Sequence, residues 1–295
     1  RATKATRKIG LGVMGFAEAL IKMNISYDSD QALDKAEQIS AFISEEARQK
    51  SVELGEERGS FSAFAESLWE SQGCGAMRNA TLTTIAPTGS ISIVAGTTSG
   101  IEPLFAVAFV RSVMGGTQLV EINPVFETIA RERRFHSDEL TRKIAKTGSV
   151  KGLGEVPSDL QRLFLTALEI APERHVRMQA AFQKNMDNAV SKTVNLPSDA
   201  SIGDVESVFM LAYELKCKGI TVYRYGSKKE QVLYMGSIIG RERGETLQYV
   251  SADPEYAGGC LAVGGQAGLV LGAGGVEPGS LVGDVFGGGE GGDDF

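Results

Sequence analysis

Four short β-rich runs, at 80–86, 104–113, 189–196 and 219–225, alternate with stretches of helical periodicity. This order constrains the fold more than any other feature of the chain. β-branched and aromatic residues suit a pleated, half-buried surface. Strands separated by helices call for crossover connections, so the expected class is α/β, as a barrel or as an open sheet. Between 29 and 54, Ala32, Ala36, Ile39, Ile43 and Ala47 recur every three or four residues behind a Ser29 or Asp30 cap. Further helices are expected over 159–170, behind Ser158, and over 172–186, where Pro172 suits a first turn. Ser201 and Asp204 have the spacing of a capping box ahead of the stripe Val205, Val208, Phe209, Ala212 and Leu215, with Gly219 placed to end that helix.

The chain has 295 residues, 42% of them hydrophobic, enough for a buried core. Residues 1–240 are expected to form the ordered body and 241–295 a flexible, Gly-rich acidic tail. From Ser251 onward the last 45 residues hold 15 glycines and no Lys or Arg, too little apolar surface to offset the entropy of ordering. Because the first residue is Arg1, the chain is expected to be the later part of a longer polypeptide. No apolar run reaches the roughly 18 residues of a membrane span, and no signal-peptide core follows RATKATRKIG. A cytoplasmic protein without a membrane partner is expected. The net charge of −7, with dispersed Lys and Arg, gives no nucleic-acid surface. Cys74, Cys217 and Cys260 lie too far apart for a disulfide framework or a zinc site, so no metal is expected on them.

Gly10, Gly12 and Gly15 spell G-x-G-x-x-G ahead of an apolar helical stretch, the spacing that brings a dinucleotide pyrophosphate to a helix N-terminus. That reading needs a buried strand before the first glycine, and ATRKI has one suitable residue. It also needs an acidic residue about 20 positions on, where Asp28 and Asp30 follow the poor strand KMNISY. The better expectation is a tight strand-to-helix turn with close packing. An NAD-dependent hydroxyacid dehydrogenase stays open as the alternative.

The stretch RNATLTTIAPTGSISIVAGTTSGIEPLF, 78–105, places a loop of small and hydroxyl residues directly after a β-rich run. If a helix starts near Ser90, its first-turn amides and the positive end of its dipole suit an anion. The hydroxyls of Thr88, Ser90 and Ser92 are candidate side-chain donors, so a phosphate needs no lysine here. An ordinary capped turn is the alternative.

This segment closely resembles the substrate-phosphate loop of the ribonucleotide reductase large subunit, most nearly that of the adenosylcobalamin-dependent class II enzymes. RKIGLGVMGFAEAL, HVRMQAAFQKNMDNAVSKTVNLP (175–197) and ELKCKGITVYRYGSKKEQVL (214–233) continue the resemblance in family order. The resemblance implies the second half of a ten-stranded α/β barrel. It places the substrate diphosphate on Pro87, Thr88, Gly89, Ser90 and Ile91, mostly through main-chain amides. Glu102, in a matching Gly-Ile-Glu-Pro block, would be a buried structural acid. Asn188, Ser191, Lys192 and Asn195 would lie on a barrel strand, where inward residues meet cofactor or substrate, or simply pack. Tyr223 falls where class I enzymes keep one of two adjacent radical-transfer tyrosines, but its neighbour is Arg224.

The same resemblance implies a ribonucleoside diphosphate substrate, adenosylcobalamin as cofactor and a thiol reductant such as thioredoxin. The family's radical cysteine sits in an Asn-Pro-Cys-Gly-Glu motif that this chain lacks: Cys74 has neither the preceding Asn-Pro nor the following Glu. No catalytic residue is therefore expected here, and an N-terminal half of the reductase is expected as partner. Cys217 resembles a structural thiol of the family. Cys260 alone does not make the dithiol with which class II enzymes often re-reduce their site. A non-catalytic nucleotide-binding or assembly protein of the same descent stays open.

Overall fold

The computed structural model describes residues 1–112, 118–227 and 248–249. By its contacts the chain divides into Arg1–Ala262 and Val263–Phe295, the latter outside the described residues. The helices of the first unit are α1 (Ala2–Thr6), α2 (Phe16–Lys22), α3 (Asp30–Arg58), α4 (Leu68–Ser71), α5 (Gly89–Ala95), α6 (Pro124–Glu132), α7 (Asp138–Thr147), α8 (Ser158–Leu163), α9 (Pro172–Gln183) and α10 (Ile202–Glu214). Its strands are β1 (Ala108–Ser112), β2 (Gln118–Ile122), β3 (Thr193–Leu196), β4 (Thr221–Arg224) and β5 (Gln248–Tyr249). The class is mixed α/β, as expected. β3 and β4 pair in parallel, Val194 opposite Val222, while β2 lies antiparallel to β1 and parallel to β5. No closed barrel is formed among the described residues. The tail expected over 241–295 lies outside them apart from β5.

Three helix starts follow the sequence, but Ser158, expected to cap, is instead the first residue of α8 behind Pro157, which makes no side-chain cap bond. Ser29 Oγ accepts from Ala32 N at 3.1 Å, and Pro172 stands in the first turn of α9. The box at the start of α10 is complete: Ser201 Oγ accepts from Asp204 N at 3.2 Å, and Asp204 Oδ2 accepts from Ser201 N at 2.7 Å. Its bonds to Ser201 hold the Asp204 carboxyl below its ordinary range. Replacing Ser201 with alanine removes one of these bonds and is expected to cost about 1 kcal/mol. Urea unfolding checks this, and a loss under about 0.3 kcal/mol would contradict it.

Four helix ends differ from expectation, α3 running on to Arg58 and α9 stopping at Gln183. The helix expected to run to 170 stops at Leu163, because Thr166 starts a fresh cap: its amide and hydroxyl both donate to Glu169, at 2.8 and 2.9 Å, over a short 3-10 turn. α10 ends at Glu214 rather than near Gly219. Lys216 takes the left-handed conformation (φ 60°), and Cys217 N closes on Ala212 O at 2.9 Å. α6, α7 and β2 fall in a stretch for which no element was expected.

The run 80–86 is extended but is not a regular strand. It makes single parallel bridges on its two sides, Leu11 to Thr83 and Ile85 to Val190. Main-chain bonds join it to both neighbours, Thr84 N to Leu11 O at 2.9 Å and Asn188 N to Thr83 O at 2.9 Å, and side chains add to them: Leu82 N donates to Asp187 Oδ2 (2.7 Å), Asp187 N to Thr83 Oγ1 (3.0 Å), and Thr84 Oγ1 to Ala189 O (2.8 Å). Likewise 189–196 becomes a ladder only from Thr193 onward. The expected strand at 104–113 starts at Ala108, since Leu104 and Val107 are bonded to separate loops through Ala167 N and Gly148 O; Val113 is not described. Two buried clusters flank these segments. One joins Phe16, Leu20, Ile85, Ile101, Met178 and Phe182; the other centres on Phe126, Ile144 and Phe164. The first of them underlies the candidate site.

Candidate functional site

The glycine turn comes first in the chain and its role is decided by contacts. It is preceded by the helical turn α1, not by a buried strand. A Cβ on Gly10 would lie 2.5 Å from Thr84 Cγ2, and one on Gly12 would overlap the Thr84 carbonyl oxygen. Gly15 adopts φ 78° as the cap of α2, which a side chain would strain. At the start of α2 two of the amides are already used, Gly15 N donating to Thr98 O at 2.7 Å and Phe16 N to Gly100 O at 3.4 Å. The buried Glu18 carboxylate sits beside them, accepting from Thr97 Oγ1 and from Thr98 N at 3.3 Å. The dinucleotide alternative therefore fails on geometry, and the close-packed turn is what forms.

The loop that those amides hold is the partner of the hydroxyl-rich segment. Ser92 N donates to Thr88 O at 2.8 Å, so the amides of Gly89, Ser90 and Ile91 precede the first bond of α5. Thr88 does not cap them. It stands at φ 51°, an unusual conformation for a β-branched residue, and its Oγ1 accepts from Gly100 N at 2.8 Å. Pro87, Ser90 and Ile91 are exposed; Thr88 and Gly89 are half-buried. Three adjacent main-chain donors thus face outward from one turn, with the exposed Ser90 hydroxyl beside them. Ser92, expected to add a donor, does not. It is fully buried, donating to Gly89 O at 3.1 Å and sharing a 2.9 Å bond with Ser99 Oγ.

Beneath the loop lies a buried ion pair. Lys192 Nζ, its side chain wholly inaccessible, is 2.7 Å from Glu102 Oε2, 2.8 Å from His175 Nδ1 and 2.6 Å from Thr193 O. An ammonium has three hydrogens, and all three are satisfied. Glu102 Oε1 accepts from Thr193 N at 2.7 Å, and His175 Nε2 lies 2.9 Å from Ala167 O. The carbonyl must accept, so His175 carries its proton on Nε2 and offers Nδ1 to Lys192. Burial first and the adjacent Lys192 charge second push its pKa well below the ordinary value, although the bond to Ala167 opposes them. Tyr27 donates to Ile101 O at 2.5 Å, and burial, helped by the Glu102 charge, raises its pKa so that it stays a donor.

Other candidate residues have mainly structural partners. Asn188 Nδ2 ties three extended segments together through Ile9 O, Thr81 Oγ1 and Thr83 O, at 3.1–3.3 Å. Asn195 is buried, Ser191 and Tyr223 are half-buried, and Arg224 is exposed. Cys217 packs against the cluster of Val194, Leu196 and Val208, and burial raises its thiol pKa. Cys74 donates to Ala76 O at 3.1 Å beside Phe61 and Met77. Cys260 lies outside the described residues. No cluster of His, Cys, Asp or Glu fit for a metal occurs among the described residues. His175 was missed from sequence: it sits 17 residues before Lys192, a spacing that marks no motif, and only packing of α9 on the β3 segment joins them.

The family whose description is "ribonucleotide reductase, barrel domain" matches residues 1–75 and 70–223, most of the described chain. The chain belongs to this family. A vitamin B12-dependent ribonucleoside-diphosphate reductase of Mycobacterium tuberculosis is 48% identical over 259 residues, covering 88% of this chain and 36% of that protein. One of the same name from Thermoplasma acidophilum is 48% identical over 257 residues, covering 86% and 33%. Among solved structures, the Actinobacillus ureae class Id ribonucleotide reductase alpha subunit superposes with a TM-score of 0.62 at 26% identity, over 76% of this chain and 40% of that one. The chain thus spans about a third of the length of these curated reductase relatives. No helix among the described residues is long and apolar enough to cross a membrane.

Proposed function

We propose that this chain supplies the substrate-phosphate-binding half of the barrel of an adenosylcobalamin-dependent ribonucleoside-diphosphate reductase. An N-terminal half completes the ten-stranded barrel and carries the radical cysteine. The observation that carries this reading is the uncapped turn at Gly89, Ser90 and Ile91, whose amides have no acceptor within α5. It falls on the residues that the family resemblance assigns to the diphosphate. The amides and the Ser90 hydroxyl donate to phosphate oxygens, the absence of a Cβ at Gly89 lets the anion approach, and Pro87 gives the loop a fixed φ. The chain holds and orients the substrate's charged end; hydrogen removal from the ribose falls to the other half.

Bound adenosylcobalamin supplies the radical. Among the described residues, His175 has both ring nitrogens engaged and so offers the cobalt no ligand, and His136 Nε2 is turned to Glu127 at 3.8 Å. No role of this chain is routed through the cofactor. A cytoplasmic setting with a dithiol reductant such as thioredoxin fits this chemistry, because each turnover consumes two electrons from a thiol pair and releases water.

The test is conversion of cytidine diphosphate to its deoxy form by this chain mixed with the N-terminal half of the M. tuberculosis relative, adenosylcobalamin and dithiothreitol. Product in the mixture and in neither half alone is the expected result. Absence of product despite demonstrated association of folded halves would sink the catalytic reading in favour of a binding or assembly role.

A further inference from the structure

Every carbonyl from Thr98 to Ile101 is bonded: Thr98 O to Gly15 N, Ser99 O to Glu102 N, Gly100 O to Phe16 N and Ile101 O to the Tyr27 hydroxyl. The turn is then anchored from below, where Glu102 grips both Lys192 Nζ and Thr193 N. Its one outward main-chain commitment toward α5 is the Gly100 amide, which donates to Thr88 Oγ1. Gly100 itself has φ 46°, and a Cβ there would stand 3.2 Å from Ala86 O, so the approach allows no side chain. Thr88 in turn holds a left-handed backbone, which for a β-branched residue is strained and persists only where its surroundings impose it.

We propose that Lys192, Glu102 and Thr88 are positioning residues for the phosphate-binding amides. The buried ion pair fixes the 98–102 turn, the turn presents the Gly100 amide, and that amide pins Thr88 in the conformation that aims Gly89, Ser90 and Ile91 outward. The Thr88 hydroxyl therefore serves the shape of the loop by accepting from Gly100, and its role as a phosphate donor is secondary. This inference rests on the phosphate-loop reading above.

The test titrates inorganic pyrophosphate into the ¹⁵N-labelled full chain and follows the Gly89, Ser90 and Ile91 amide resonances, with a thermal melt of each variant to establish folding. The parent is expected to show saturable shifts at these amides. Thr88→Val keeps the shape and β-branching of the side chain but leaves the Gly100 amide without its acceptor, and weakens binding about tenfold. Thr88→Ser restores the acceptor and returns affinity to within about threefold of the parent. Glu102→Gln keeps an acceptor for Thr193 N while removing the charge, and weakens binding about three- to tenfold. Ser201→Ala, remote from the loop, leaves affinity unchanged although it lowers stability. A folded Thr88→Val that binds as the parent does would overturn the positioning role and leave the phosphate site standing. A folded Glu102→Gln with parental affinity would remove the ion pair from it. No saturable shift in the parent would overturn the phosphate-loop reading and this inference with it.

Discussion

Replacing Lys192 with methionine is expected to destabilise the fold by about 3–5 kcal/mol, the cost of stranding a buried charge. Methionine matches the length of the stem but supplies none of the three donors. Glu102 would keep only the Thr193 amide, His175 Nδ1 would lose its buried partner, and Thr193 O would lose its 2.6 Å donor while Asn195 Nδ2 stays at 3.5 Å. The ion pair itself need not add net stability over an apolar packing, because desolvation offsets the attraction; breaking one side of it is what costs. A second substitution should therefore recover part of the loss. Lys192→Met combined with Glu102→Leu is expected to be more stable than Lys192→Met alone, since the stranded carboxylate is gone. Urea unfolding of the parent, both single variants and the double measures the coupling. A loss below about 1 kcal/mol for the first variant would mean that the site is hydrated in solution.

Lowering the pH should weaken the same region through His175. Its folded pKa lies below the unfolded value of about 6.5, so the imidazole is neutral when folded and takes up a proton when the chain unfolds. Below 6.5 the unfolded state binds more protons, and stability falls as pH falls, by up to about 1.4 kcal/mol per unit, until the folded pKa is reached. The stabilisation is fully present above that window. The exposed carboxylates with depressed values, Asp30, Glu155, Asp159 and Asp204, act at lower pH, since their unfolded values lie near 4. Unfolding free energies between about pH 7.5 and pH 5 isolate the histidine when this chain is compared with His175→Gln, which offers Lys192 an acceptor that does not titrate. Equal slopes in the two proteins would show that His175 already protonates in the folded state.

Local chemistry was legible in the sequence where it is self-contained. Ser29, Pro172 and the Ser201 and Asp204 pair announce helix starts because a cap is made within four residues. Asn123 before Pro124 and Ser137 before Asp138 carry the same signal for α6 and α7, and the structure uses both: Asn123 Oδ1 accepts from Val125 N, and Ser137 Oγ from Leu140 N. Residue type alone makes the hydroxyl-rich loop a candidate for an anion. What it hides is which hydroxyls remain available. Ser90 is exposed while Ser92, two residues on, is turned inward to Ser99, and Thr88 is taken by Gly100. The run at 80–86 is extended and bridged in parallel on both sides, as its residues favour, but its pairing stays at single bridges, with Asp187, Thr83 and Thr84 adding side-chain bonds that residue type does not announce. The glycine spacing was read as a close-packed turn, and that is what forms. Its Gly15 and Phe16 amides hold Thr98 and Gly100, a partnership that the spacing alone does not announce.

The extended segment around Leu82 and Ile85 also bears on how the chain reaches its structure. Its neighbours are the Ile9–Leu11 stretch, some 70 positions earlier, and Asp187 and Ala189, 105 positions later. Such pairings reward the chain only after long loops have been closed, which slows folding. During synthesis the segment is made long before its later partner emerges, and β4 follows later still. The central strand must therefore wait, half paired, with Leu82 and Ile85 lacking their final cover. Aggregation competes most strongly in that interval. A chaperone that covers the segment while residues 85 to 190 are made is expected to raise the yield of folded protein.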